Sequence, residues 1–133
     1  MGNFQYINSE GVFDPSRIYS HIVVPPSGRT IFLAGQWGAD ESGLVVDGGF
    51  PAQVSRAFAN VQIHLAGLGI GPGHVLKLTH YVVGLDQEKR ATIHDVAGGI
   101  WPIDKPASTL LGVSCLARDD MLYEVDVQAL IPH

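Results

Sequence analysis

The sequence predicts an α+β fold in which two helices pack on one face of a mixed β-sheet. The length of 133 residues suits one domain rather than two. Glycine and proline recur at short intervals, which is typical of short elements joined by tight turns. Segments with the period of a strand and segments with the period of a helix follow one another as β-β-β-α-β-α-β-β. This order favours a two-layer sandwich.

The first three predicted strands lie in the N-terminal part of the chain. They cover residues 1–8, 18–24 and 30–34, with a Pro-Pro-Ser-Gly turn before the third. Residues 35–49 are rich in Gly and Asp and are predicted to be a loop that contains a short strand at residues 44–46.

The clearest helix is predicted over residues 51–66. Pro51 suits a first helical turn, and Gly67 and Gly69 suit the helix end. Apolar residues recur at spacings of three and four, which gives the helix one apolar stripe. The stripe consists of Val54, Ala57, Phe58, Val61, Leu65 and Leu68.

The C-terminal half supplies three more strands and a second helix. Residues 75–83 alternate as a strand does, and Asp86 is a candidate cap for a helix that ends at Gly98 and Gly99. Two final strands are predicted at residues 107–115 and 121–131. The second face of the sheet is expected to be apolar and covered by other subunits, because Leu76, Leu78, Leu110 and Leu111 lie on these strands.

The composition points to self-association and away from nucleic acid. Hydrophobic residues make up 46% of the chain and charged residues only 16%, which is a lean surface for a small monomer. The net charge is −5 and the eight basic residues are scattered, whereas phosphate backbones require clustered cations. Small molecules and other copies of the chain are therefore the expected partners.

Neither an extracellular location nor a membrane location is indicated. The single cysteine, Cys115, excludes an intramolecular disulfide. Residues 1–14 lack a basic stretch followed by an apolar core, so no secretory signal is predicted, and no apolar run is long enough to span a membrane. A cytoplasmic protein is the expectation.

Glu124 and Asp126 are the first candidates for chemistry. One residue separates them on a predicted strand, so both side chains are expected on the same face, about 7 Å apart. Tyr123, Val125 and Val127 then point into the helix layer. A carboxylate buried between subunits can act as a general acid or base. The alternative is that both carboxylates face solvent or cap a subunit contact.

Other reactive residue types give weaker signals. Tyr19 and His21 form a pair on the second predicted strand, where such side chains usually serve packing, with their polar ends hydrogen-bonded. The histidines show no metal-ligand spacing, so the sequence predicts neither a metal site nor a cofactor. Cys115 is expected to be a small buried residue rather than a nucleophile. The glycines of residues 67–73 indicate a turn rather than a phosphate loop.

Three segments together resemble a known family. Residues 31–36, Ile-Phe-Leu-Ala-Gly-Gln, resemble a strand that ends in Ser-Gly-Gln, and residues 53–66 resemble a helix with the pattern Gln…Asn-Val/Ile. Residues 105–113, followed by Leu116 and Tyr-Glu-Val-Asp at 123–126, resemble a C-terminal hairpin. From about residue 19 to residue 131, the chain is similar to the RidA family, also known as YjgF or endoribonuclease L-PSP.

The resemblance implies a fold, an assembly and an activity. The fold is the bacillus-type chorismate-mutase-like sandwich, and the assembly is a homotrimer with a central barrel and clefts between subunits. RidA-type members hydrolyse reactive 2-imino and 2-enamino acids to 2-keto acids and ammonia. By position, Glu124 matches the glutamate that acts on water, and Tyr19 and Gly35 match residues that line the cleft; Ala34 replaces a serine.

The family's substrate-binding arginine is replaced by Ser108. Where the family has Pro-Ala-Arg, this chain has Pro106, Ala107 and Ser108. Serine offers one neutral donor instead of a bidentate guanidinium, so we expect a typical imino acid to bind roughly ten- to a hundredfold less well. Lys105 is close in sequence, but its side chain need not reach the same cleft. Leu110 is expected to line the cleft, and His94 replaces an asparagine of the second helix.

Two functions remain open from the sequence. In the first, the chain is a hydrolytic deaminase with an atypical substrate: Glu124 acts on water, Ser108 and the backbone at Gly35 orient the substrate, and His94 carries a second proton. In the second, the same clefts bind a small metabolite without catalysis. The old family label of ribonuclease or translation inhibitor is not favoured, because the chain is acidic and has no basic track.

Overall fold

The computed structural model of the protein describes residues 3–133. Two helices lie on a four-stranded mixed sheet, which confirms the predicted fold class, and two short N-terminal strands form a separate sheet. In chain order the elements are β1 (Gln5–Ile7), β2 (Ile22–Val24), β3 (Gly28–Trp37), α1 (Gly49–Gly67), a 3-10 turn (Pro72–His74), β4 (Val75–Val83), α2 (Gln87–Ile100), β5 (Ala107–Val113) and β6 (Tyr123–Pro132).

The N-terminal segment differs from the prediction. Residues 1 and 2 of the predicted first strand lie outside the described residues. The second strand begins at Ile22 rather than at residue 18, because a turn forms just before it. Asp14 accepts a hydrogen bond from the amide of Ser16, and the carbonyl of Pro15 accepts from the amide of Tyr19. Asp followed by Pro is a strong turn former, since the carboxylate mimics a backbone acceptor and the ring fixes φ.

The main sheet has the strand order β3-β6-β4-β5, so β3 and β5 are its edges. β6 runs antiparallel to both neighbours, whereas β4 and β5 are parallel and are joined by α2. β4 has the predicted bounds, residues 75–83. The predicted strand at residues 44–46 is reduced to a single bridge between Ala39 and Val45.

α1 supplies most of the buried apolar residues on the helix side of the core. Gly48, with φ 110°, turns the chain into the helix at Gly49, slightly earlier than predicted. Five residues of the predicted stripe are buried, whereas Leu68 follows the helix and is 50% exposed. The buried stripe residues are Val54, Ala57, Phe58, Val61 and Leu65.

α2 packs more loosely than α1. Asp86 caps it as predicted, since its carboxylate accepts a 2.8 Å hydrogen bond from the amide of Lys89. The helix continues past Gly98 and Gly99 to Ile100. Among its residues only Ile93 is fully buried, and the helix packs against α1. A space therefore remains between α2 and the strands β4 and β5.

Strand alternation assigns the side chains to two faces of the sheet. Val127, Leu78 and Ser108 are in register across β6, β4 and β5 and share the helix face, as do Val125, His80 and Leu110. The expectation that Leu78 and Leu110 cover the second face is therefore wrong. Leu76 lies at a register shift in β4.

The second face, here called the open face, is largely polar. Glu124 is in register with Tyr81 and Leu111, and Asp126 with Thr79 and Thr109. Its most exposed apolar side chain is Phe32, at 73%. Within residues 3–133, no helix has the length and apolar character needed to cross a membrane.

Candidate functional site

A cavity of about 310 Å³ separates α2 from the sheet edge formed by β4 and β5. It exists because α2 leans on α1 and leaves the end of β5 uncovered. Its size is suited to a small metabolite. The cavity is lined by Ile18, Tyr19, Leu78, His80, Arg90, Ile93, His94, Ala97, Trp101, Lys105, Pro106, Ser108 and Leu110.

Ser108 forms part of a buried hydrogen-bond chain at the floor of this cavity. Its Oγ lies 3.0 Å from Nε2 of His80, and Nδ1 of His80 lies 2.6 Å from the hydroxyl of Tyr123. Tyr123 is fully buried and packs edge-on against the ring of Phe50. Burial raises the pKa of Tyr123 well above its ordinary value, so the hydroxyl keeps its proton.

His80 is neutral at physiological pH. Burial, and secondly repulsion from His94, lowers its pKa to about 4. It is 4% exposed and both ring nitrogens have partners. A neutral imidazole carries one N–H, so one nitrogen donates and the other accepts.

The charged side chains of the cavity are all cationic. Arg90 of α2 and Lys105 of the loop before β5 line it, and no Asp or Glu is among its lining residues in the described part of the chain. The ammonium of Lys105 donates to the carbonyl of Trp101. Lys105 therefore does reach the cavity that holds Ser108, which the sequence left open. This set of groups favours an anionic ligand.

His94 lies one helical turn after Arg90 on α2 and also lines the cavity. Burial, and secondly the neighbouring Arg90, lowers the pKa of His94, although Asp95 opposes the shift. His94 is thus biased towards the neutral form, in which it can accept as well as donate a hydrogen bond.

Tyr19 lies at the cavity rim. It is not on a strand, so the strand predicted at this position is wrong. The amide of the next residue, Ser20, donates to the carbonyl of Pro106 and so fixes the N-terminal segment beside the start of β5. The ring of Tyr19 packs edge-on against Phe13 and His21 at centroid distances of 6.5 and 5.5 Å.

Glu124 belongs to a second group of residues on the open face. A register shift in β3 between Leu33 and Gln36 brings Gly35 against the Glu124 side chain. A Cβ atom placed on Gly35 would lie 1.8 Å from Oε2 of Glu124. Burial, and secondly repulsion from Asp126, raises the pKa of Glu124. Asp126 accepts a 3.0 Å hydrogen bond from the hydroxyl of Tyr81.

Comparison with known proteins gives the family. The Endoribonuclease L-PSP family matches residues 11–131. The chain belongs to this family. Protein DfrA of Myxococcus xanthus is 30% identical to the L-PSP chain over 113 residues, which are 84% of each protein.

Solved structures of L-PSP relatives share the fold. The conserved Rid family protein YyfB of Yersinia pestis, described as of unknown function, superposes with a TM-score of 0.89 at 30% identity, over 98% of this chain and all of that one. RidA from the Antarctic bacterium Psychrobacter superposes with a TM-score of 0.70 at 23% identity, over 96% and 99% of the two chains.

The predicted site residues of this L-PSP chain fall into two separate groups. Tyr19, His94, Ser108 and Leu110 line the cavity, which we call the cavity half-site. Glu124 and Gly35 lie together on the open face near the opposite edge of the sheet, and we call them the open-face half-site. One subunit does not bring the two half-sites together.

Three residues that line the L-PSP cavity or lie beneath it were not singled out from the sequence as site residues. The pairing of β4 with β5 and β6, which has no local sequence signal, places His80 between Ser108 and Tyr123. Arg90 was recognised only as one of the scattered basic residues. Cys115, expected to be buried, is exposed because β5 ends at Val113.

Two polar residues of the family-like helix have structural partners. Gln53 is buried, donates to the carbonyl of Asp120 and accepts from the amide of Leu122, so it fixes the loop before β6. The amide of Asn60 donates to the carbonyls of Trp37 and Ala39 at the end of β3. Both residues hold the backbone that positions Gly35 and Glu124.

Proposed function

We propose that this L-PSP chain is a hydrolytic deaminase that acts on a small imine or enamine metabolite in clefts between the subunits of a homotrimer. The observation that carries the proposal is Glu124, a partly buried carboxyl group with a raised pKa pressed against Gly35. Enzymes tune carboxyl groups in this direction when they serve as acid and base near neutral pH.

The positions of the two half-sites favour a site shared between subunits. Ser108 and Leu110 lie on the edge strand β5, whereas Gly35 lies on the opposite edge strand β3, next to Glu124 on β6. In a head-to-tail ring, one edge of each subunit meets the other edge of its neighbour. Such a ring brings the cavity half-site of one subunit to the open-face half-site of the next.

The reaction uses water and no other co-reactant. Glu124 accepts a proton from a water molecule as that water attacks the carbon of the C=N bond. The proton then passes to the nitrogen, which gives a carbinolamine. A second proton moves from the carbinolamine hydroxyl to the nitrogen as the C–N bond breaks, and the products are a carbonyl compound and ammonia. His94 is the second group suited to carry a proton, because its lowered pKa leaves it neutral and able to accept.

The loss of the arginine at position 108 changes where charge is held. Arg90 and Lys105 place their positive charges elsewhere in the same cavity. A substrate with its acidic group directed towards α2 keeps a charge-assisted contact, whereas a substrate that needs a guanidinium at position 108 loses it. We therefore expect the preferred substrate to be an anion of a different shape, and a short imino acid to be a weaker substrate.

Ammonia release tests the proposal. Freshly generated 2-iminobutanoate and a longer imino acid are supplied to the native chain and to E124Q, with E41Q, an exposed loop variant, as the matched control. We expect turnover in the native chain and in E41Q, a loss of at least a hundredfold in E124Q, and the same oligomeric state in all three. Equal turnover in E124Q and E41Q would contradict the proposed role of Glu124.

A non-catalytic metabolite-binding protein is the second candidate. It is favoured by one observation: no carboxylate lines the cavity among the described residues of a single subunit. This candidate requires ligand affinity without ammonia release, and an affinity that E124Q leaves unchanged. The variant S108R separates the two further, because a gain of turnover in S108R means that the catalytic groups are intact and only the binding of the substrate has been altered.

A further inference from the structure

The chain of hydrogen bonds from Tyr123 through His80 to Ser108 has a direction. The Tyr123 hydroxyl is buried, and its hydrogen-bond partner is Nδ1 of His80, at 2.6 Å. If Nδ1 carried the histidine proton, the Tyr123 hydroxyl hydrogen would have no acceptor among the described residues. An orphaned buried donor disfavours that arrangement by roughly tenfold or more.

The other tautomer satisfies every group. Tyr123 donates to Nδ1, and the single proton of His80 is then on Nε2, where it is donated to Oγ of Ser108 across 3.0 Å. His80 stays neutral because its pKa is about 4, so a second ring proton is absent. With its oxygen already accepting, Ser108 directs its own hydroxyl hydrogen into the cavity.

We propose that His80 and Tyr123 are positioning residues that hold Ser108 as a hydrogen-bond donor, so that the cavity favours a ligand with an oxygen acceptor at this point over a ligand with an ammonium group there. Arg90 and Lys105 also line the cavity, and their side chains can only donate hydrogen bonds. The cavity therefore presents hydrogen-bond donors to a ligand on several sides. The inference rests on the proposed function only for the choice of probe.

The first test observes the tautomer directly. Long-range nitrogen–proton NMR spectra of the ¹⁵N-labelled native chain at pH 7.5 distinguish a protonated Nε2 from a protonated Nδ1, and the signals of His80 are assigned by their loss in H80Q. We expect a protonated Nε2 and an unprotonated Nδ1. A protonated Nδ1, or a ring with both nitrogens protonated, overturns the proposal without reference to any enzymatic activity.

The second test measures the affinity of the cavity for 2-oxobutanoate by calorimetry. H80Q and H80L both remove the imidazole, but only the glutamine amide can accept from Tyr123 and donate to Ser108. We expect H80Q to stay within about threefold of the native affinity, and H80L and S108A to lose about tenfold, the effect of one hydrogen bond.

The outcomes separate this inference from the proposed deaminase. Equal losses in H80Q and H80L, or no binding of 2-oxobutanoate by the native chain, overturn the positioning role whatever the ammonia assay gives. Affinity that follows the expected order in a chain that releases no ammonia supports the positioning role and rejects the deaminase. E41Q, the exposed loop variant outside both half-sites, should bind 2-oxobutanoate within about threefold of the native chain.

Discussion

Gly35 lies against the side chain of Glu124, and the contact leaves no room for a β-carbon. A Cβ atom at position 35 would meet Oε2, Cδ and Cγ of Glu124 at 1.8, 2.6 and 2.8 Å. Glycine is therefore required here by the close approach of a side chain and not by a positive φ angle. The half-buried position of Glu124, and hence its raised pKa, depends on this contact.

G35A should abolish the proposed deaminase activity while leaving the chain folded. The new methyl group displaces the carboxylate by an ångström or more, and misplacement on that scale reduces turnover by about a hundredfold. The matched control is G98A on α2, where a Cβ atom has open space. It should stabilise the helix by about 0.5–1 kcal/mol and preserve turnover. Full activity in G35A would mean that the orientation of Glu124 is unimportant.

D126N should shift the pH profile of kcat/KM. Asp126 raises the pKa of Glu124 as the second cause after burial, and the asparagine oxygen can still accept from Tyr81. Without the negative charge the pKa of Glu124 falls, so the acidic limb of the profile moves to lower pH but not as far as an exposed glutamate. A limb that stays in place or moves to higher pH would exclude Glu124 as the base.

His80 should make the fold sensitive to acid. Its pKa falls from 6.5 to about 4 in the folded chain, first because of burial and then because of His94, so between these values only the unfolded chain binds the proton. The contribution of His80 to the free energy of unfolding is fully present above pH 6.5. It is lost as the pH falls towards 4, by about 3 kcal/mol in all.

Urea unfolding at pH 7.5 and pH 4.5, at one protein concentration, measures this dependence. H80Q should lose less stability than the native chain between the two pH values. H64Q, on the exposed side of α1, serves as the control and should behave as the native chain does. A native chain no more acid-sensitive than H80Q would contradict the buried neutral histidine.

N60D should weaken the fold at the end of β3. The Asn60 amide donates to the carbonyls of Trp37 and Ala39 at 3.2 and 3.0 Å. The oxygens of a carboxylate can only accept, so in N60D they would face two carbonyl oxygens without a shared hydrogen. We expect a loss of about 2 kcal/mol or more in the free energy of unfolding. Q62E makes the same amide-to-acid change at an exposed position of α1 and should cost much less. Equal losses in the two variants would remove the assigned role of Asn60.

The apolar periodicity of the sequence predicted the helices and the central strands. Each of these elements buries one side in the core, and this burial produces the apolar repeat. β4 and the cap of α2 at Asp86 are examples. The prediction of a strand from residue 18 was wrong. The alternation of residues 18–24 was outweighed by the turn at Asp14 and Pro15.

Sequence reasoning could not assemble the site, because the decisive neighbours are set by strand pairing. His80 and Ser108 are 28 residues apart and meet only through the parallel register of β4 and β5. Arg90 reaches the cavity because α2 packs on α1 and stands away from the sheet. The resemblance to the family predicts that an arginine is replaced, but it could not show that other cations line the same space.

The separation of the two half-sites across the sheet has a genetic consequence. If each pocket takes Glu124 from one chain and Ser108 from its neighbour, two inactive alleles can complement each other. Chains altered only at Glu124, mixed and reassembled with chains altered only at Ser108, form some pockets in which both residues are native. Each pocket then depends on two chains, and a change at one edge of a chain inactivates only one of the two pockets to which that chain contributes.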